Sequence, residues 1–306
     1  MSDLAIAAEV RAALDDGRPV VALESTIIAH GLPYPRNLET AHLLGRAVRD
    51  CGGVPATIAV LGGRIRVGLA DADLDHLARN GAVLPKLTTR DLGFVVARAS
   101  EGATTVAATM AIAHRAGISV FATGGIGSVH RGAESSFDIS ADLAQLARTP
   151  VAVVSAGAKA ILDLPKTLEV LESLGVPVIG LGTETFPAFW CRSSGLRLDQ
   201  SCRDADGVAA VLAAHWRLGG TGALVANPIP EADALPADLI EQSIAAALAE
   251  AAQQGIAGKA VTPFLLNKIE ASTHGRSVTA NVALACANAR AGTAIAEALL
   301  KQKPPP

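Results

Sequence analysis

Short, uninterrupted apolar runs recur along the chain and predict buried strands. A strand with one face in water alternates apolar and polar residues, and these runs do not. They lie at residues 19–23, 56–61, 119–122, 151–155, 176–181 and 223–226. Their continuity predicts a sheet that is covered on both faces.

Helical patterns separate several of these runs. Apolar residues recur at helical spacing within them, and glycines stop several of the helices. The segments are ETAHLLGRAVRD (39–50), TTVAATMAIAHRAG (104–117), SADLAQLART (140–149), PKTLEVLESLG (165–175) and DADGVAAVLAAHWRLGG (204–220). Strands that alternate with helices predict a layered α/β domain.

Beyond residue 230 the pattern is helical only, at 231–255, 262–273 and 281–300. These alanine-rich helices must pack against the sheet or against a neighbouring subunit. No linker composition or charge shift interrupts the chain, which predicts one domain over 1–306. The tail KQKPPP, residues 301–306, is expected to be disordered.

Composition excludes several classes of partner. Half of the 306 residues are hydrophobic, the formal net charge is -3 and the pI is about 6.2, so electrostatics gives no reason to expect nucleic acid or an anionic membrane. The start of the chain carries Asp3 and Glu9 and does not resemble a secretory signal, and no stretch is long and apolar enough to span a membrane. We therefore expect a cytoplasmic protein.

The four cysteines have no metal-ligand spacing, which favours free thiols.

Two loops at predicted strand ends carry charge where ligands bind in α/β sheets. Glu24 follows an apolar run and precedes another, so its pKa is expected to be raised if the carboxylate is unpaired, as a general acid requires. It can equally bond an arginine or backbone amides, or cap a helix. Lys86 stands beside two threonines and Arg90, a combination that suits a phosphate but is also common in solvated loops.

A third loop is rich in glycine and oxygen-bearing side chains. The glycines at 124, 125 and 127 permit close approach of the backbone to an anion, but their spacing is not the dinucleotide fingerprint. Asp138, Ser140 and Asp142 alternate just before a helix. Either Ser140 caps that helix with Asp142 in its first turn, or the three bind a hard cation. His130 is either solvated or directed at a ligand.

The fourth loop, SAGAKAIL at 155–162, places Lys159 after a buried strand. The lysine either points to water as a helix begins, or lies in a poorly solvated pocket where a lowered pKa makes it a nucleophile towards a carbonyl. Together the four loops describe a pocket for a phosphorylated carbonyl compound or sugar.

Seven motifs in this order resemble those of the pseudouridine-5'-phosphate glycosidase family, also called indigoidine synthase A-like, over about residues 5–300. They are ALESTIIAHGLPYP, PKLTTRDL, ATGGIGSVHRGAESSFDISADL, VVSAGAKAILDLPKTLE, GTETFPAFWCRSSGL, LVANPIPE and TPFLLNKIEASTHGRSVTANVAL. The resemblance implies a homotrimer of single-domain α/β/α sandwiches with a mostly parallel or mixed sheet and additional C-terminal helices.

The resemblance also implies an activity and a set of site residues. The activity is reversible cleavage of pseudouridine 5'-phosphate to uracil and ribose 5-phosphate with a divalent metal, Mn²⁺ or another such as Mg²⁺. Lys159 matches the nucleophile, Glu24 the proton donor and Asp138 the metal ligand. The positions that match substrate-binding residues are Lys86, Val106, Ser140, Ala141, Asp142 and Asn281.

The chemistry of a C-glycoside agrees with these roles. The bond to carbon has no leaving oxygen or nitrogen to protonate, which disfavours the two-carboxylate route of other glycosidases. The amine of Lys159 can instead bond to C1′ of the opened ribose, and its nitrogen lone pair then forms an imine as the bond to uracil breaks. Two alternatives remain at this level: a lysine-dependent phosphosugar aldolase and a non-catalytic phosphosugar-binding protein.

Overall fold

The computed structural model of the chain describes residues 4–256 and 261–302, and of residues 262 and 263 it describes the backbone alone. The strands within these ranges are β1 Leu4–Ile6, β2 Val20–Leu23, β3 Val54–Leu61, β4 Arg64–Val67, β5 Lys86–Leu87, β6 Gly102–Thr104, β7 Val120–Ala122, β8 Ala152–Ser155, β9 Val178–Leu181, β10 Gln200–Cys202 and β11 Ala223–Ala226.

The helices within the same ranges are α1 Ala8–Asp15, α2 Thr26–His30, α3 Arg36–Arg49, α4 Asp71–Asn80, α5 Leu92–Ala97, α6 Val106–Arg115, α7 Ala133–Ser136, α8 Ala141–Leu146, α9 Leu164–Ser173, α10 Ala205–Arg217, α11 Ala237–Gln253, α12 Val261–Ser272 and α13 Arg276–Lys301. In the described part of the chain, no helix is both long and apolar enough to cross a membrane. Residues 303–306 of the predicted disordered tail lie outside the described residues.

One mixed, mostly parallel sheet organises the molecule. Its strands lie in the order β1-β4-β3-β2-β7-β8-β11-β9-β10. Every pairing from β3 to β10 along this path is parallel, whereas β4 and β6 run antiparallel to β3. The parallel strands therefore end at one common edge, and that edge carries the candidate site.

Both faces of the sheet are buried, as the uninterrupted apolar runs predict. In β7, Val120 and Ala122 pack into one hydrophobic cluster and Phe121 into the other. The first cluster contains residues of α3, α10, α11, α12 and α13, and the second contains residues of α1, α6, α8 and α9. Helices thus cover the two sides, which confirms the predicted α/β/α sandwich with additional C-terminal helices.

The long C-terminal helix packs on the sheet of its own chain. α13 contacts β2, β7 and β8 as well as α3 and α10. Its Asn288 is fully buried, accepts from Asn227 at 2.9 Å and donates to the Thr123 carbonyl at 2.8 Å. The helix thereby fixes the loop that follows β7.

Candidate active site

The predicted site residues that follow three neighbouring strands lie at one edge of the sheet. β2 pairs with β7 and β7 with β8, so Glu24 and Thr123 emerge side by side, directly after Leu23 and Ala122. The loop after β8 folds back on the loop after β7, because the Lys159 backbone N–H donates to the Ile126 carbonyl at 3.3 Å. Residues far apart in sequence therefore meet.

They line a cavity of about 630 Å³. The predicted residues on its wall are Glu24, Lys86, Val106, Asp138, Ser140, Ala141, Asp142 and Lys159. Asn281 lies instead on an adjoining cavity of about 100 Å³, which shares Glu24, Lys86 and Lys159 with the first. All the predicted site residues therefore come together.

A cleft of about 550 Å³ elsewhere on the molecule contains none of these residues. Its charges largely pair with each other, as Arg49 does with Glu9 and Arg66 with Asp73. The convergence of unpaired charge favours the cavity at the strand ends as the active site.

Glu24 is bound by hydroxyl groups. Thr26 donates to its Oε2 and Thr123 to its Oε1, and in the described ranges neither an arginine nor a backbone amide contacts the carboxyl group. Burial raises the pKa of Glu24, and the charge of Lys159 and the Thr123 hydrogen bond oppose that rise. A carboxyl group whose protonated form is favoured can deliver a proton into the cavity.

Lys159 lies in an irregular turn, since the next helix, α9, begins only at Leu164. Gly157 makes this turn possible: its φ is 75° and a Cβ there would lie 2.3 Å from the Pro187 carbonyl oxygen. The Lys159 side chain is partly buried and, among described residues, makes no hydrogen bond or ion pair. No helix begins at Lys159 and the residue lines the cavity, which favours the interpretation as a pocket residue over that of a solvated lysine at a helix start.

The charge of Lys159 acts on three neighbours in the cavity. It lowers the pKa of Glu24 and of Asp142, against the burial that raises both, and it adds to the desolvation that lowers the pKa of Lys86. Two amines and two carboxyl groups therefore interact electrostatically within one cavity. An amine beside a proton donor can condense with a carbonyl compound.

Lys86 and the start of α6 form the cationic end of the cavity. Lys86 opens β5, and Val106 is the first residue of α6, whose N-cap Thr105 accepts from the Ala108 amide at 3.5 Å. The Ala107 and Ala108 N–H groups are bonded to Asp142 and Thr105, so among the described residues the Val106 N–H is the donor left at this helix start, where the helix dipole favours a phosphate.

Asp142 ties this helix start to the glycine-rich loop. Its buried carboxylate accepts from Ala107 N at 2.9 Å and from Gly127 N at 2.8 Å. Ser140 caps α8 by accepting from Asp142 N at 3.3 Å, which confirms the capping interpretation. A Cβ at Gly127 would approach Ser140 Oγ to 2.5 Å, so a glycine is needed there.

Asp138, the predicted metal ligand, lines the cavity. Its exposed carboxylate lies 3.7 Å from His130 Nδ1, and its backbone carbonyl accepts from His130 N at 3.0 Å. Across the described residues, no three His, Cys, Asp or Glu side chains are grouped to hold a metal. The donors present fit a hard ion that keeps most of its water, such as Mg²⁺ or Mn²⁺.

Comparison with known proteins places the chain in a family. The model of the family described as "Indigoidine synthase A like protein" matches residues 9–298. The chain belongs to the indigoidine synthase A-like family. Relatives named pseudouridine-5'-phosphate glycosidase include those of Caldanaerobacter subterraneus, 56% identical over 96% of this chain and 95% of the relative, and of Paracoccus denitrificans, 57% identical over 97% and 98%.

Two solved structures share the indigoidine synthase A-like fold. The prealnumycin C-glycosynthase AlnA in complex with ribulose 5-phosphate is 42% identical, with a TM-score of 0.91 over 97% of each chain. An indigoidine synthase A-like protein of Thermotoga maritima is 34% identical, with a TM-score of 0.87 over 97% of this chain and 96% of the other.

Sequence reasoning missed the threonines that bind Glu24. Thr123 and Glu24 are 99 positions apart, and only the pairing of β2 with β7 brings them together. The available signal was position, because each residue directly follows an apolar run. Thr26 was visible two residues from Glu24, but nothing in the sequence gives its orientation.

Proposed function

We propose that this chain is a pseudouridine-5'-phosphate glycosidase that reversibly releases uracil and ribose 5-phosphate. One observation carries the proposal: Lys159, free of hydrogen bonds within the described residues, shares a cavity with Glu24, whose pKa is raised. The names of the relatives support the substrate, and the ribulose 5-phosphate in AlnA supports a phosphosugar in a site of this family.

In the proposed cleavage, the amine of Lys159 bonds to C1′ of the ribose. The bond from C1′ to the ring oxygen breaks, the oxygen takes a proton and the sugar opens. Glu24 then protonates C5 of uracil, the electrons of the C1′–C5 bond restore the base, and the nitrogen lone pair forms the C1′=N imine. One water hydrolyses this imine to the aldehyde of ribose 5-phosphate and frees the lysine.

The phosphate lies, in this proposal, between Lys86 and the N-terminus of α6 at Val106. Both carry positive potential, and the bound phosphate offsets the entropic cost of ordering an open-chain sugar. Asn281 lines the adjoining cavity together with Glu24, which supports the proposal that it contacts the substrate.

Asp138 would hold the divalent metal, with Ser140, Ala141 and Asp142 shaping the wall beside it. The bound ion would supply oxygen coordination that orients the substrate. We expect chelation to abolish turnover and Mn²⁺ to restore it, and Asp138→Asn to weaken the binding of Mn²⁺ itself in calorimetry. Full turnover in metal-free protein would make Asp138 structural.

Uracil release is the direct test. Wild-type protein with Mn²⁺ and pseudouridine 5'-phosphate should release uracil and ribose 5-phosphate in equal amounts, measured by chromatography. Lys159→Ala should abolish release, whereas Lys166→Ala, which removes an exposed lysine outside the cavity, should not. Cleavage within a sugar without uracil would indicate an aldolase, and binding without turnover a phosphosugar-binding protein.

A further inference from the structure

The segment that carries Lys86 is tied to the helix that follows Glu24. His30, the last residue of α2, bonds the Leu84 carbonyl through Nε2 at 2.8 Å. A carbonyl oxygen only accepts, so Nε2 carries the hydrogen. Leu84 precedes Lys86 by two residues, so this bond reaches the backbone next to the phosphate-binding amine.

The same helix is held firmly against α4. Asn37 is 1% exposed, and its Nδ2 donates to the carbonyls of Ile28 and Ala78, each at 2.8 Å. The backbones of Gly81 and Ala29 touch, since a Cβ on Gly81 would lie 2.0 Å from the Ala29 carbonyl oxygen. α2 therefore offers His30 a rigid base.

Lys86 is anchored from two sides. β6 holds it through the parallel pairing of Lys86 with Ala103. On the side of Glu24, the His30–Leu84 bond is the one hydrogen bond, within the described residues, between α2 and the segment 81–87. Val83, within this segment, is 82% exposed, whereas Leu84 packs against the cluster that contains Ile28 of α2, so the hydrogen bond adds direction to an existing contact.

Neither ring nitrogen of His30 is accessible for proton exchange with solvent. Its Nδ1 is buried without a hydrogen-bond partner among the described residues, and Nε2 is occupied by Leu84. Burial lowers the pKa of His30 and the nearby charge of Lys86 acts in the same direction, whereas the bond to the Leu84 carbonyl opposes the fall.

We propose that His30 is a positioning residue for Lys86. Its Nε2–H bond to the Leu84 carbonyl sets where the Lys86 ammonium stands relative to Glu24 and Lys159, and thereby sets the affinity for a phosphorylated sugar. The inference rests on the phosphate contact proposed above for Lys86.

Three variants separate the role of each nitrogen. In His30→Gln the amide Nε2 reaches the position of the imidazole Nε2 and can still donate to Leu84. In His30→Asn the amide reaches only the position of Nδ1, and His30→Ala removes both. His114→Asn, which changes an exposed histidine at the end of α6, is the matched control.

The readout is the dissociation constant of ribose 5-phosphate, with ribose as the unphosphorylated control, by calorimetry. We expect His30→Ala and His30→Asn to weaken ribose 5-phosphate binding about 3- to 10-fold, the range of one hydrogen bond, and His30→Gln and His114→Asn to stay within about 2-fold of wild type. Ribose binding should not change. In the double variant His30→Ala/Lys86→Ala, the His30 change should add nothing to the loss from Lys86→Ala.

Three outcomes overturn the inference: additive losses in the double variant, rescue by asparagine as good as by glutamine, or equal losses for ribose and ribose 5-phosphate. Failure of wild-type protein to bind ribose 5-phosphate would also overturn the inference. If His30→Ala does not fold, the comparison of His30→Gln with His30→Asn decides. Uracil release by wild-type protein is scored separately, so failure of the proposed function is seen independently of these affinities.

Discussion

At the scale of single residues, the chemistry depends on how Glu24 and Lys159 are solvated. Burial raises the pKa of Glu24, which is the direction that the sequence predicts for an unpaired carboxylate between apolar residues. Its hydroxyl partners could not be predicted, because Thr123 reaches it only through the pairing of β2 with β7. The catalytic roles of both residues stay predictions.

Glu24→Gln tests the proton-donor role. Cleavage needs the protonated carboxyl group, so wild-type turnover should fall as pH rises through the folded pKa of Glu24. Because burial raises that pKa, the fall should come at a higher pH than for an ordinary carboxyl group. The variant should lose about 10²- to 10⁴-fold in kcat with little change in KM, and it should lose this pH limb.

The measurement is kcat and KM for uracil release across pH. We expect Glu24→Gln to fold, because a neutral amide avoids the cost of ionising a buried carboxyl group at neutral pH. Loss of folding would therefore not explain the fall in kcat. Glu24 would lose its role if the variant kept the wild-type rate and pH profile.

At the scale of elements, the sequence predicts the strands formed by long apolar runs but not two of the short strands. The runs at 151–155 and 223–226 match β8 and β11 closely. β4 was missed because its sequence RIRV alternates charge with apolar residues, and β5 because two residues carry no periodicity. The sequence therefore predicts a loop for the Lys86 segment, although the backbone of Lys86 pairs with β6.

Asp142 joins two elements, and its removal should lower stability. Asp142→Ala leaves the buried amides of Ala107 and Gly127 without an acceptor, at a cost of about 1–3 kcal/mol in the free energy of unfolding. Urea unfolding measures this. Asp15→Ala, an exposed aspartate at the end of α1, should stay within about 0.5 kcal/mol of wild type. Equal stability of the two variants would show that Asp142 does not hold α6 to the glycine-rich loop.

At the scale of the whole molecule, the order of the motifs identifies the family, while packing decides what the C-terminal helices do. The sequence left open whether they cover the sheet or a neighbouring subunit. α13 covers β2, β7 and β8, because its small residues permit close approach, as at Gly292 against Val21 and Ala122. Composition alone cannot show this, since an alanine-rich face suits either partner.

The homotrimer implied by the family resemblance is tested by particle mass. Phe94 and Phe137 are 68% and 81% exposed, and Phe94 lines the cavity, so each side chain offers apolar surface for association. Light scattering should give three times the chain mass of 31.0 kDa at micromolar concentration. A mass of one chain at all concentrations would contradict the trimer.

The imine on Lys159 is the central claim, and borohydride trapping tests it most directly. Wild-type protein is incubated with ribose 5-phosphate, reduced with borohydride and digested for mass spectrometry. We expect one reduced ribose 5-phosphate adduct, on the peptide that contains Lys159, and none in Lys159→Ala. An adduct on Lys86 instead, or active protein that releases uracil without any trapped adduct, would contradict the account.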